Sequence, residues 1–309
     1  MRPSAFPGAV ALLLALGLAG CSSAPAPSDS VSTVRNQAVE NTAFGNGYFK
    51  QGRYELALRY YSQALSYNVS IDNREGVVLS YNDVGNVYMA VEQFDMAETT
   101  FRKALDLAEG IAPRYAFTTC LNLGKLYLRK ADPVKAMEAF DKARAVPEKD
   151  VDRGDLAVLY HNIGIGWRDQ GEFGKASESL AKALEINVAL KAYEQQADNW
   201  YMMASVASKQ GDTQGAMDKA ETALQIDKKR ENSLGIAKDL AALGTISLKR
   251  KDAGAAYGFF QRSYLIYTTL GNKSEMRRLL EQLVPLAEEL KKQPETDEYR
   301  TRLSELEKQ

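Results

Sequence analysis

Six small residues recur along the chain at an almost constant interval, and they leave little choice of fold. Gly45, Gly85, Gly124, Gly164, Ala204 and Gly244 are separated by 40, 39, 40, 40 and 40 residues. A second small position repeats in register at Ala57, Ala97, Ala136, Ala176, Ala216 and Ala256, and a third at Ala64, Ala104, Ala143, Ala183, Ala223 and Ser263. Large residues stand between them: Tyr48, Tyr88, Tyr127 and Trp167 after the first position, and Tyr61, Phe101, Phe140, Leu180 and Phe260 after the second, with Ala220 the exception. Residues 81–105 show the unit most clearly, as two amphipathic helices broken near 91–93 and folded back on each other. Gly85 and Ala97 let the two backbones approach, while Tyr88 and Phe101 fill the space beside them.

The order Val84-Gly85, Tyr88, Ala97, Phe101 resembles the tetratricopeptide (TPR) helix–turn–helix, and the resemblance covers residues 38–273. It implies an all-α fold, a right-handed α-solenoid of six TPR-like repeats closed by C-terminal capping helices over 274–309. The usual TPR period is ~34 residues, so the longer interval needs an account. The extra residues fall in stretches such as 67–76, 146–154 and 228–235, where an added turn of helix on each side of the inter-repeat loop is expected. Units of this length resemble the longer TPRs of adaptor proteins that bind extended peptides. The fifth and sixth units match less well, since Ala207 and Ser247 replace the first-helix aromatic and Ala220 the second-helix one; residues 200–203 are candidates to refill that space. In the cap, Leu279, Leu280, Leu283, Leu286 and Leu290 keep helical spacing, Pro285 is expected to kink or interrupt the helix, and a last helix is expected over 296–307.

The N-terminus carries a different signal. After Arg2, an apolar run over residues 9–19 has the length of a signal-peptide core and is too short to span a bilayer. It ends in Leu18-Ala19-Gly20-Cys21, which is similar to the lipobox of bacterial lipoproteins. That resemblance implies a signal peptide over 1–20, lipidation at Cys21 and a flexible tether over 21–37. Ser22 in place of an aspartate points, by the same resemblance, to the outer membrane, with the protein facing the periplasm. The plainer reading is an ordinary cleaved signal peptide with an incidental cysteine. Two or more acyl chains, at ~0.8 kcal/mol per buried CH₂, anchor firmly without a polybasic patch.

Composition removes other classes. With 39 basic and 40 acidic side chains there is no global charge to recruit nucleic acid. Two cysteines and one histidine exclude a disulfide framework and most metal sites. The glycines follow the repeat period and form no phosphate loop, and the sole histidine, His161, is a poor candidate for a catalytic base. No enzyme activity and no cofactor are expected. Cys120 falls at a packing position of the third unit.

Binding is the remaining class. In such a solenoid the first helix of each unit lines a continuous concave surface. Counting from the small residue, that surface receives Asn46, Asn82, Asn86, Asn122, Lys125, His161, Asn162 and Tyr201, and one turn later Arg129, Arg168 and Lys209. Asparagine offers a donor and an acceptor, so a row of them can pair with the backbone of an extended peptide. The row resembles the asparagine ladders of peptide-binding TPRs. The competing reading is that these side chains brace inter-repeat loops. The cations Lys50, Arg129, Lys209 and Lys249 are also favoured by the helix dipole, without any ligand. Of the carboxylate-clamp set of chaperone-binding TPRs only Asn46 matches, because Thr42, Asp83 and Thr118 stand where Lys, Asn and Lys are needed. The sequence thus implies a lipid-anchored adaptor or scaffold that holds a protein or peptide segment at the bacterial envelope. The alternative is a structural assembly factor, pilotin-like or self-associating.

Overall fold

The computed structural model describes residues 30–307. The expected signal peptide and the lipidation site at Cys21 lie outside the described residues. Among the described residues fourteen α-helices follow one another: α1 (Val31–Lys50), α2 (Tyr54–Ser70), α3 (Arg74–Ala90), α4 (Phe94–Ala108), α5 (Pro113–Arg129), α6 (Pro133–Arg144), α7 (Arg153–Asp169), α8 (Phe173–Ala189), α9 (Tyr193–Gln210), α10 (Thr213–Lys229), α11 (Ser233–Lys249), α12 (Ala253–Thr269), α13 (Lys273–Glu289) and α14 (Gln293–Glu307). They pack as seven antiparallel pairs in an all-α TPR-type solenoid.

The turns explain the regularity. After α3 the chain turns at Glu92, in the left-handed region with φ 61°, and Gln93 N–H returns to Tyr88 O at 2.9 Å. The same bond closes other helices, from Asn73 to Asn68, Asp132 to Tyr127, Ala192 to Asn187, Asn232 to Asp227 and Asn272 to Tyr267. This is the Schellman closure, which satisfies the last carbonyls of a helix. The donor residue then serves as the N-cap of the next helix, and Asn73, Asp132, Asp212, Asn232, Asp252 and Asn272 cap with their side chains. One residue therefore ends one helix and starts the next.

Packing follows the small–large rule. A Cβ on Gly85 would lie 2.5 Å from Phe101 Cε1, and Phe101 is fully buried. Tyr88, expected to be buried, is only partly so, at the edge of two hydrophobic clusters. In the fifth unit Ala204 meets Ala220, and the volume is filled by Met217 and by Leu240 and Leu243 of the following unit. Met202 and Met203 instead pack on Leu180. Cys120 is buried in the central core.

Three expectations are corrected. The tether was expected to run through residue 37, but α1 begins at Val31 because the Ser30 side chain accepts from Thr33 N–H and caps it. The stretch 146–154 adds no full α-helical turn: α6 stops at Arg144, Pro147 leads into a 3₁₀ turn at Glu148–Asp150, and α7 starts only at Arg153. A proline there disfavours helix at the residue before it. Pro285 does not interrupt α13, which runs through it and buries Leu279, Leu280, Leu283 and Leu286. The final helix begins at Gln293 and caps the end with Tyr299, packed between Tyr257 and Tyr264.

Polar rungs cross three repeat junctions. Asn68 Nδ2 donates to Ser80 Oγ at 3.1 Å, and Asn187 Nδ2 to Asn199 Oδ1 at 2.7 Å. At the equivalent place, Asp227 and Asp239 face each other, 3% and 2% exposed. Asn73 and Asn232 hold the first and third rungs by donating to Asn68 Oδ1 and Asp227 Oδ1.

Candidate functional site

First helices touch one another: α3 meets α5, α5 meets α7, α7 meets α9 and α9 meets α11. Alternate second helices do not approach as closely, so the first helices form the inner, concave layer. Two of the clefts along it gather most of the expected site residues.

The N-terminal cleft, of about 320 Å³, is lined by Asn46, Phe49, Tyr61, Asp83, Asn86, Met89, Lys125 and Arg129. Tyr61 OH donates to Asn46 Oδ1 at 2.7 Å. Lys125 Nζ donates to Asn122 Oδ1 at 3.2 Å, and burial holds this ammonium below the ordinary lysine range. Arg129 reaches back one repeat, donating to Met89 O at 2.8 Å and to Glu92 Oε1 at 3.1 Å. Asn86 Oδ1 is buried with no partner. Asp83 forms no hydrogen bond or ion pair among the described residues, and burial pushes its carboxyl up to about 7.

The C-terminal cleft is larger, about 540 Å³, with His161, Asp198, Tyr201, Lys238, Thr245, Tyr267, Glu275 and Arg278 among its walls. Its histidine is oriented from behind. Asn187 donates to Asn199 Oδ1, so the Asn199 amide nitrogen is the donor that meets His161 Nδ1 at 2.9 Å. The imidazole proton is therefore on Nε2. Burial holds His161 below the ordinary histidine range, which keeps it neutral at pH 7. Lys209, with Ser208 and Lys249, lines an adjoining cavity of about 240 Å³ that shares Tyr201.

The expected row of asparagines does not form one exposed ladder. Asn82 and Asn122, expected to face water, are 3% and 5% exposed. Asn82 Nδ2 donates to Val78 O and to Thr119 Oγ1, and its Oδ1 accepts from Asn122 at 3.0 Å. These two side chains tie α3 to α5, because a buried amide needs partners for both of its ends. Asn162 spends its amide on Val158 O of its own helix, and Arg168 bonds Asp169 and lies against Met202 Sδ; neither lines the two clefts. The recurring cations are partly structural: like Arg129, Lys249 grips a carbonyl of the preceding first helix, Ser208 O, at 2.9 Å. Asn46, Asn86, Lys125 and Arg129 do converge in one cleft, and His161 and Tyr201 in the other.

Counting along first helices missed Asp83, which is three residues before Asn86 and therefore shares its face. It missed Tyr267 and Arg278 because these come from α12 and α13, a second helix and the cap. Among the described residues no group of three or more His, Cys, Asp or Glu side chains is placed to hold a metal ion. No helix among the described residues is long and apolar enough to cross a membrane.

No curated protein sequence matches the chain. The family model described as tetratricopeptide repeat matches residues 38–110 and 76–149. Among solved structures, the apo form of the quorum sensor NprR from B. thuringiensis superposes with a TM-score of 0.68 at 17% identity, over 90% of this chain and 77% of that one. A Rap protein complexed with Competence and Sporulation Factor gives 0.61 at 16% identity, over 88% and 75%. PilW, a type IV pilus biogenesis factor, gives 0.56 at 20% identity, over 79% and 98%. At these identities the likeness is one of fold, and together with the family-model match it shows that this chain carries tetratricopeptide repeats stacked as a solenoid.

Proposed function

We propose that this protein is an adaptor, lipid-anchored through Cys21 at the bacterial envelope, that holds an extended segment of a partner protein along its first-helix face. The observation that carries this reading is the pair of clefts on one face whose polar groups are unspent: Asp83 and Asn86 Oδ1 in one, and the Nε2–H of His161 in the other. Buried polar groups are normally partnered, and groups left without partners inside a cleft are suited to a ligand that supplies them. The Rap protein complexed with Competence and Sporulation Factor has the same fold with a factor bound, which agrees with a binding role. The anchor rests on the Leu-Ala-Gly-Cys motif at residues 18–21.

A photo-crosslinker placed at Met89 or Thr245 in the full-length chain, in the native envelope, tests the reading. Adducts to one partner protein from both positions support it. Adducts to a second copy of this chain favour the self-associating assembly factor instead, and no adduct from either position overturns the groove assignment. Cys21→Ser should leave an uncleaved precursor of altered mobility or release the protein from the membrane fraction. Retention of that variant with unchanged mobility removes the anchor.

A further inference from the structure

The N-terminal cleft contains an acid that the fold gives nothing to do. Asp83 projects from α3 into a cleft whose other walls come from α1, α2 and α5. Its neighbours are already committed: Tyr61 OH to Asn46, Lys125 to Asn122, and Arg129 to Met89 O and Glu92. None of them bonds the Asp83 carboxyl, and three residues on, Asn86 Oδ1 also lacks a donor. An ionisable group withdrawn from water without a partner costs stability, and such costs concentrate at functional sites. Two acceptors one helical turn apart, beside Phe49 and Met89, fit a cation carried on an apolar stem.

We propose that Asp83, with Asn86 beside it, is a specificity pocket that takes a basic side chain, lysine or arginine, from the bound segment. This rests on the peptide-holding reading of the first-helix face. The cation supplies the charge-assisted partner that Asp83 lacks, and the aliphatic stem lies against Phe49 and Met89. Lys125 and Arg129 bound the pocket on the α5 side, each already bonded within the fold.

The test uses the full-length chain in detergent and blocked peptide libraries of one length, with a central position fixed as arginine, lysine, citrulline or glutamate. Charge-assisted hydrogen bonds contribute ~1.5–3 kcal/mol, so arginine and lysine libraries should bind roughly tenfold or more tightly than the citrulline library. Asp83→Asn should erase that preference while keeping the fold, since Asp83 holds no intramolecular bond. Libraries that bind without the preference, or a preference that survives in D83N, overturn the pocket and leave the peptide reading standing. If no library binds, the peptide reading fails, and Nα-acetyl-arginine amide alone decides the pocket. The ¹³C carboxyl signal of Asp83 should then titrate at lower pH with it and unchanged with the citrulline amide. No change with either probe, or the same change with both, overturns the proposal.

Discussion

Two junctions of the solenoid are built to one plan and behave as opposites. Between α8 and α9 the rung is Asn187 to Asn199, and between α10 and α11 it is Asp227 to Asp239, each pair twelve residues apart and each buried. Amides satisfy each other as donor and acceptor and pass the polarity on to His161. Carboxyl groups can do this only while one keeps a proton, and Asp239, pushed up to about 8 by burial and by Asp227, does keep one at neutral pH. Asp239 Oδ2 is nonetheless without a partner. The same place in the repeat is thus a settled contact in one unit and a titratable one in the next.

The largest effect should come from breaking the amide rung. Asn199→Leu strands both Asn187 and His161, and unsatisfied buried groups cost ~1–3 kcal/mol each, so the urea midpoint should fall by an amount equivalent to ~2–5 kcal/mol. A loss below ~1 kcal/mol would mean that the rung is ornamental.

The acid rung should respond to pH. The unfolded Asp239 releases its proton near 3.8 and the folded one near 8. Between these values the unfolded state binds fewer protons, so stability falls as pH rises, by up to ~1.4 kcal/mol per pH unit. Asp83, raised to about 7, contributes with the same sign but is half ionised at pH 7 and nearly fully so by pH 8, so the rung dominates the upper part of the interval from 7 to 8. Asp239→Asn should flatten the profile in that interval and raise the melting temperature at pH 8. An unchanged slope removes the titration account.

A steric change sharpens the comparison further. A Cβ on Gly235 would lie 1.8 Å from Asp227 Oδ2, so Gly235→Ala should destabilise by ~1–3 kcal/mol at pH 5. The double change Asn82→Ala with Asn122→Ala, which cuts the tie between α3 and α5, should lower the melting temperature by a similar free energy, read by calorimetry. Asn162→Ala, which loses only a bond within its own helix, should stay within ~0.5 kcal/mol.

The repeat and its packing were legible because they are steric: a glycine opposite a phenylalanine leaves its mark in every unit. The groove was only half legible. Asn122 and Asn162 both stand two residues before the small position, Gly124 and Gly164, yet one is buried in a network and the other folds back on its own helix. What separates them is the neighbouring repeat, which offers Asn82 to the first. The rungs were hidden for another reason. Asn68, Asn187 and Asp227 sit at helix ends, where polar residues ordinarily meet water, and only their shared twelve-residue spacing to Ser80, Asn199 and Asp239 marks them. Asp83 registered as a mismatch to a known clamp rather than as a lone acid, since solitude is a property of three dimensions.

The turns carry a consequence for chain length. Where the residue that closes one helix also opens the next, the joint has no slack. A single inserted residue inside a helix rotates everything after it by about 100°, a 3.6-residue turn divided once, and carries each buried small residue to the solvent side. Among the described residues only the joints at 109–112 and 145–152 lack the shared closing residue. The interval between Gly85 and Gly124, the one that measures 39, spans the first of them. These two joints act as expansion gaps in an otherwise rigid rule, and they are where this solenoid can gain or lose residues without losing its frame.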